Sequence, residues 1–188
     1  MDIVLASGSP RRKELLETLG LEFTICPAKG EECPPQGAGP DETVKALSLA
    51  KAREVAQMYP DALIIAADTI VWADSRILGK PRSEAQAEEM LALLSGSSHE
   101  VYTGVTLICG EKTVCRSECT KVFFRDLSDG EIRAYVKTGE PMDKAGAYGI
   151  QGRAAMMVRR IEGDYFNVMG LPLCALGQML EQIGVQLF

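Results

Sequence analysis

The chain alternates short apolar runs with segments whose apolar residues recur at helical spacing. Ile3-Val-Leu5 predicts a buried strand over 2–6. In Lys13-Glu-Leu-Leu-Glu-Thr-Leu19 the leucines at 15, 16 and 19 share one helical face, which predicts a helix over 10–19. A second strand is expected at 22–26, then a Gly/Pro-rich loop from Pro27 to Pro40. A helix follows from about Asp41 to Gln57, with Val44, Leu47, Leu49 and Ala50 turned inward. The uninterrupted run at 62–67, Ala-Leu-Ile-Ile-Ala-Ala, reads as a central strand. Ser83-x-x-Gln86 and Ser128-x-x-Glu131 have the capping-box pattern and open helices to about Leu94 and Lys137. Residues 100–109 and 113–124 read as long strands around Gly110-Glu-Lys, an antiparallel hairpin. A Gly-rich loop over 139–152, a strand near 155–161 and a helix near 172–183 complete the pattern. This order predicts an α/β fold, a twisted mixed sheet flanked by helices.

Composition narrows the class. With 188 residues, 46% of them hydrophobic and 24% charged, a single domain with a real core is expected. The net charge of −6 argues against a broad surface for nucleic-acid backbones. No apolar run is long enough to span a bilayer, and Met1-Asp-Ile lacks the pattern of a signal peptide, so a cytoplasmic protein is expected. The cysteines at 26, 33, 109, 115, 119 and 174 form no Cys-x-x-Cys pair. They read as small buried hydrophobes and reduced thiols. His99 is the sole histidine of the chain and sits in a polar turn, Ser97-Ser-His-Glu100, which favours a structural or capping role. Serine or cysteine nucleophile chemistry therefore lacks a partner base.

Candidate chemistry starts at Leu5-Ala-Ser-Gly-Ser-Pro-Arg-Arg12, a strand, a small-residue turn and a helix start. Ser9 is placed to cap that helix and Pro10 suits its first turn. A helix amino end attracts anions, while Arg11, Arg12 and Lys13 stand where the dipole disfavours cations. A bound phosphate would reconcile the two. In Ala66-Ala-Asp-Thr69, Asp68 ends a buried apolar strand, where a charge needs a partner, a metal or a solvated cleft. Lys80 lies in the turn Ile77-Leu-Gly-Lys-Pro81. The loop Gly139-Glu-Pro-Met-Asp-Lys-Ala-Gly-Ala-Tyr-Gly-Ile-Gln-Gly152 carries Asp143 and Lys144, placed either to pair or to divide between metal and phosphate. Its Gln151 both donates and accepts hydrogen bonds, which suits reading a base edge. The aromatic residues of Glu162-Gly-Asp-Tyr-Phe-Asn167 read as packing.

Taken together, L-A-S-G-S-P-R-R, A-A-D-T, L-G-K-P, S-G-x-x-H-E-V-Y-T-G, D-K-A-G-A-Y-G-I-Q-G and G-L-P-L resemble the Maf family, from Leu5 to Leu173 in order and spacing. These are nucleoside triphosphate pyrophosphatases. The resemblance implies a fold related to inosine triphosphatases, in one domain over 1–188 with its active-site cleft between two lobes. It implies divalent-metal-dependent cleavage between the α and β phosphates. By motif, Asp68 is the catalytic base. Ser7, Arg12, Glu32, Lys51, Lys80 and Lys144 line the triphosphate and metal site, with Glu32 and Asp68 as the metal ligands. Lys29-Gly-Glu-Glu-Cys33 departs from the family's D-E-S form, so Glu31 is the alternative to Glu32. Arg11, Thr69 and Gln151 match the positions tied to base choice in the dTTP/UTP subgroup. Family members often form dimers, so a homodimer is expected.

Physical chemistry agrees with that reading. Cleaving a triphosphate requires clamped negative charge and a positioned water, which cations, helix N–H groups and a divalent ion supply. Oxygen ligands and phosphates favour Mg²⁺ or Mn²⁺. Within the family the alternative substrate is 7-methyl-GTP. Outside this chemistry, a nucleotide kinase and a regulatory module that binds nucleotide without turnover remain open, although the kinase reading lacks a Walker A loop.

Overall fold

The computed structural model describes residues 1–31 and 33–185. The sheet has seven strands, β1 (Ile3–Leu5), β2 (Thr24–Ile25), β3 (Leu63–Ala73), β4 (Arg76–Leu78), β5 (Ser98–Cys109), β6 (Lys112–Phe124) and β7 (Val158–Glu162). Their order is β2-β1-β3-β5-β6-β7, with β4 paired to β3. β1 runs parallel to both β2 and β3, whereas β4 and β7 pair antiparallel with β3 and β6. The helices are α1 (Pro10–Glu17), α2 (Pro40–Met58), α3 (Glu84–Leu94), α4 (Asp129–Val136), α5 (Tyr165–Met169) and α6 (Leu173–Ile183). This is the mixed sheet flanked by helices that the hydrophobic pattern predicts. No helix of the described residues is long and apolar enough to cross a membrane.

The chain divides into two compact units, Met1–Asp68 with Thr103–Glu118 and Gly170–Phe188, and Thr69–Tyr102 with Cys119–Met169. In the first, Val4, Ala6, Ala52, Val55, Ile64 and Ala66 form a core from β1 and the residue after it, α2 and β3. A Cβ at Gly104 would overlap the Val44 carbonyl, so glycine there lets the backbones of α2 and β5 meet directly. In the second, the core joins Leu91 and Leu94 of α3, Val122 and Phe124 of β6, Ile132 and Val136 of α4, and Tyr148. Fully burying a side chain of this size contributes roughly 1.5–3 kcal/mol.

Several local expectations are corrected. Asp68 does not end its strand, because β3 continues to Ala73 through Thr69-Ile-Val-Trp, residues well suited to a strand. Ser9 occupies the N-cap position of α1, but its side chain makes no cap hydrogen bond. On α2, Leu47 is buried while Ala50 is exposed. Cys33, Cys119 and Cys174 are exposed and the other cysteines are half-buried, all of them free thiols. Tyr165 and Phe166 are 39% and 41% exposed, and it is Asn167 of that segment that is buried.

His99 lies on β5 rather than in a turn, and is buried. Its Nε2 meets the Tyr148 hydroxyl at 2.7 Å. Edge-to-face contacts with Phe124 and Tyr148, at centroid distances of 5.1 and 5.2 Å, complete its surroundings. Burial lowers its pKa to about 4. The histidine is structural, as its setting in the sequence suggests.

Candidate functional site

The first unit places five of the expected residues, Ser7, Arg11, Arg12, Lys51 and Asp68, around the end of one parallel strand pair. Leu5 of β1 is in register with Ile65 of β3, and the Ala6 N–H donates to the Ile65 carbonyl at 2.8 Å. Beyond that bond the chain leaves the sheet. Ser7 follows, 7% exposed, and Pro10 opens α1. The Ser7 hydroxyl oxygen accepts from the Ser9 N–H at 3.3 Å and from Arg12 Nη1 at 3.1 Å. Arg12 Nε donates to the Gly170 carbonyl at 2.8 Å. The guanidinium is thus held at two points, on the first turn of a helix that has no acidic residue there. Arg11 beside it is half-buried.

Asp68 sits three positions past Ile65 on β3. β1 pairs with Leu63–Ile65 and β4 with Val71–Ala73, so Asp68 falls on the stretch between the two pairings. It is 6% exposed. A carboxylate so placed needs compensation. Lys51 of α2 provides it, with Nζ 2.5 Å from Asp68 Oδ1. One turn further along α2, Glu54 accepts from the backbone N–H groups of Lys29 and Gly30 at 2.7 and 3.0 Å. Those two bonds hold the Glu54 carboxyl below its usual range. They also tie the loop that carries Glu31 to the helix that carries Lys51. Glu31 is exposed, while Glu32, the expected metal ligand, lies outside the described residues.

The second unit holds the other expected residues. Thr69 is half-buried directly after Asp68. Lys80 is exposed in the turn after β4, and the neighbouring Gly79 carbonyl accepts from the Gly146 N–H at 3.1 Å. That bond ties the Lys80 turn to the Gly-rich loop. A Cβ at Gly146 would press against Val71, and its φ of +70° favours glycine as well. In the same loop, Lys144 Nζ donates to Asp143 Oδ1 and to the Glu140 carbonyl, both at 2.6 Å. Asp143 and Lys144 therefore pair. Gln151 is exposed and directly precedes a short 3-10 turn, Gly152–Met156. Sequence reasoning gives no part to Glu140, whose carboxylate accepts from the Arg153 and Ala154 N–H groups, nor to the Gly170 carbonyl that steers Arg12. Both act through backbone groups, which leave no signature in residue type.

Among the described residues no three His, Cys, Asp or Glu side chains group to hold a metal ion. A hard cation that keeps waters and takes phosphate oxygens needs only one or two protein carboxylates. Asp68 fits that requirement.

Basic groups at a helix start, and a buried carboxylate just past the carboxyl end of a parallel strand pair, define an α/β protein able to hold a phosphorylated ligand. A family model described as Maf-like protein matches residues 2–183, and the chain belongs to that family. It is 51% identical over 183 residues to the dTTP/UTP pyrophosphatase of Bacillus cereus (strain AH820), covering 97% of this chain and 96% of that one. A Bacillus anthracis protein of the same name is 51% identical over the same length, with the same shares covered. Among solved structures, a HAM1 protein from Coxiella burnetii aligns with a TM-score of 0.53 at 17% identity, over 97% of this chain and 99% of that one. The Staphylococcus aureus Ham1 protein aligns with a TM-score of 0.52 at 15% identity, over 97% and 100%. These two likenesses bear on the fold alone.

Proposed function

We propose that this chain hydrolyses nucleoside triphosphates, dTTP and UTP above others, to the monophosphate and pyrophosphate. The observation that carries the reading is the Lys51–Asp68 pair, with Asp68 on β3 just beyond its pairing with β1, and with Ser7 and Arg12 following β1 in the same unit. Identity of 51% to proteins named dTTP/UTP pyrophosphatase supports the choice of substrate.

Water attacks the α-phosphorus, the bond from that phosphorus to the bridging oxygen breaks, and pyrophosphate leaves. Asp68 accepts the proton of the attacking water. Lys51 fixes the carboxylate at 2.5 Å and so limits where the water can stand. Arg12, already aligned by Ser7 and Gly170, needs little reorganisation to meet a phosphate oxygen. By motif, Lys80 and Lys144 add cationic contacts to the triphosphate. A divalent ion such as Mg²⁺ or Mn²⁺, when bound by Asp68 with Glu32 or Glu31, neutralises phosphate charge.

Base choice falls to Arg11, Thr69 and Gln151. The edge of thymine or uracil alternates carbonyl and N–H. Gln151 supplies a donor and an acceptor, Thr69 a hydroxyl, and Arg11 donors only. Cytosine presents an amino group where a donor expects a carbonyl, and the unpaired groups penalise it. The test is a product-resolved assay of dTTP, UTP, CTP, GTP and 7-methyl-GTP with Mg²⁺ and with Mn²⁺. Monophosphate and pyrophosphate from dTTP and UTP are expected. Transfer of phosphate to an acceptor, or tight binding without turnover, would overturn the hydrolytic reading. Faster cleavage of 7-methyl-GTP would overturn the base assignment alone.

A further inference from the structure

Gln151 is exposed, yet the backbone on both sides of it is anchored. Two residues before it, the Gly149 N–H donates to the Tyr135 hydroxyl of α4. Tyr148 and Ile150 are buried. Two and three residues after it, the N–H groups of Arg153 and Ala154 donate to Glu140 Oε1 at 3.1 and 3.5 Å, and Arg153 also reaches Oε2 at 3.3 Å. The Tyr135 hydroxyl closes the circuit by donating to the same Glu140 Oε1 at 3.2 Å. One carboxylate and one phenol therefore hold the segment 149–154 against α4. Gly152 fits this arrangement in two ways. Its φ is +75°, and a Cβ there would stand 2.9 Å from Glu140 Oε1. A larger residue would displace the carboxylate from the amides it caps.

We infer that Glu140 is a positioning residue for base selection: its carboxylate, braced by Tyr135, fixes the backbone from which Gln151 reads the pyrimidine edge. This rests on the assignment of Gln151 to the base. Hydrogen-bond discrimination between carbonyl and amino groups depends on placement, because a donor that can swing away no longer penalises the wrong base. The Glu140 main-chain carbonyl, which receives Lys144, is present whatever side chain stands there. Substitution therefore tests the carboxylate and leaves that backbone acceptor for Lys144 in place.

The experiment measures kcat/KM for dTTP and CTP, together with Tm, in the full chain and in Glu140→Ala, Glu140→Gln, Gln151→Ala and the Glu140→Ala/Gln151→Ala double variant. Gln151→Ala is expected to lower the dTTP/CTP ratio sharply, leaving only what Arg11 and Thr69 discriminate. Glu140→Ala is expected to lower that ratio by about tenfold, with most of the change in the KM for dTTP. Glu140→Gln keeps a carbonyl acceptor of the same reach and should recover part of the loss. The double variant should discriminate no worse than Gln151→Ala alone, since Glu140 acts through Gln151. If Glu140→Ala and Glu140→Gln weaken both substrates equally and keep the ratio while Gln151→Ala collapses it, Glu140 is only structural and the inference fails. If Gln151→Ala itself leaves the ratio unchanged, the base assignment fails and takes this inference with it.

Discussion

Replacing Asp68 with asparagine separates its chemistry from its partnership with Lys51. The asparagine keeps the shape and offers an oxygen to the ammonium, but the negative charge is gone. The ion pair that this substitution breaks is short, 2.5 Å, between side chains only 18% and 9% exposed for Lys51 and Asp68. A hydrogen bond to a charged group in such a setting contributes about 1.5–3 kcal/mol, so the folded state should weaken by about 2 kcal/mol. Turnover should fall further, by about 10²–10⁴, the range for loss of a general base. Adding Lys51→Met removes the ammonium left without its counter-charge. The double variant should regain most of the stability and none of the turnover. Urea unfolding and pyrophosphate release from dTTP read the two quantities in the same preparations. Near-normal turnover in a folded Asp68→Asn protein would refute the base assignment. Turnover that returns with stability in the double variant would refute it as well, by reducing Asp68 to a counter-ion for Lys51.

Arg12→Ala and Lys80→Ala should each lower kcat/KM for every triphosphate by about 10–100-fold, the equivalent of removing one charge-assisted hydrogen bond of about 1.5–3 kcal/mol. Arg12→Ala should also lower the Tm, because it strands the Gly170 carbonyl, whereas Lys80→Ala, at an exposed position, should not. A change confined to base preference in either variant would sink its phosphate role. His99 makes stability depend on pH, since its pKa is 6.5 in the unfolded chain and about 4 in the fold. The stabilisation is complete above 6.5 and falls away as pH drops from 6.5 toward 4, where only the unfolded chain takes up the proton, a decrease of about 3 kcal/mol. Unfolding free energies at pH 7 and 4.5 should show this slope in the native chain and not in His99→Gln, and equal slopes would overturn it.

Elements whose signals are local are legible in the sequence almost intact. Ser128 and Glu131 form the reciprocal capping box that their spacing implies, and Ser83 accepts from the Gln86 N–H at 3.2 Å. The second box is only half made. Gln86 Oε1 turns instead to the Arg82 N–H at 2.7 Å, an equally near backbone donor that spacing does not distinguish. β3 extends past its predicted end because a charged residue inside a strand looks like a terminus. Asp68 is tolerated inside β3 because Lys51 reaches it from α2, a contact between segments that strand periodicity does not register. β4 and α5 are too short to display a period. β4 follows a turn through Asp74 and Ser75 at φ of +49° and +56°, a conformation available to these residues but not announced by them.

The same distinction separates what can be read of the site. Asp68, Arg12, Lys80, Lys144 and Gln151 stand out as acid, cations and amide, the few residue types that the proposed cleavage of a phosphoanhydride and reading of a base would require, whereas Lys51 comes only from the resemblance to the Maf family. The groups that aim these side chains obey no such restriction. Glu54 holds the 29–30 segment to α2, and Glu140 holds 153–154 beside Gln151, each through backbone amides that any residue but proline presents. Such an anchor is selected by geometry at its own position and by space at the partner's. The sequence records it only where that space demands glycine, as at Gly152 beside Glu140. A left-handed glycine next to a candidate reading residue is therefore a signal for an anchoring carboxylate elsewhere in the loop, and here it leads from Gln151 to Glu140.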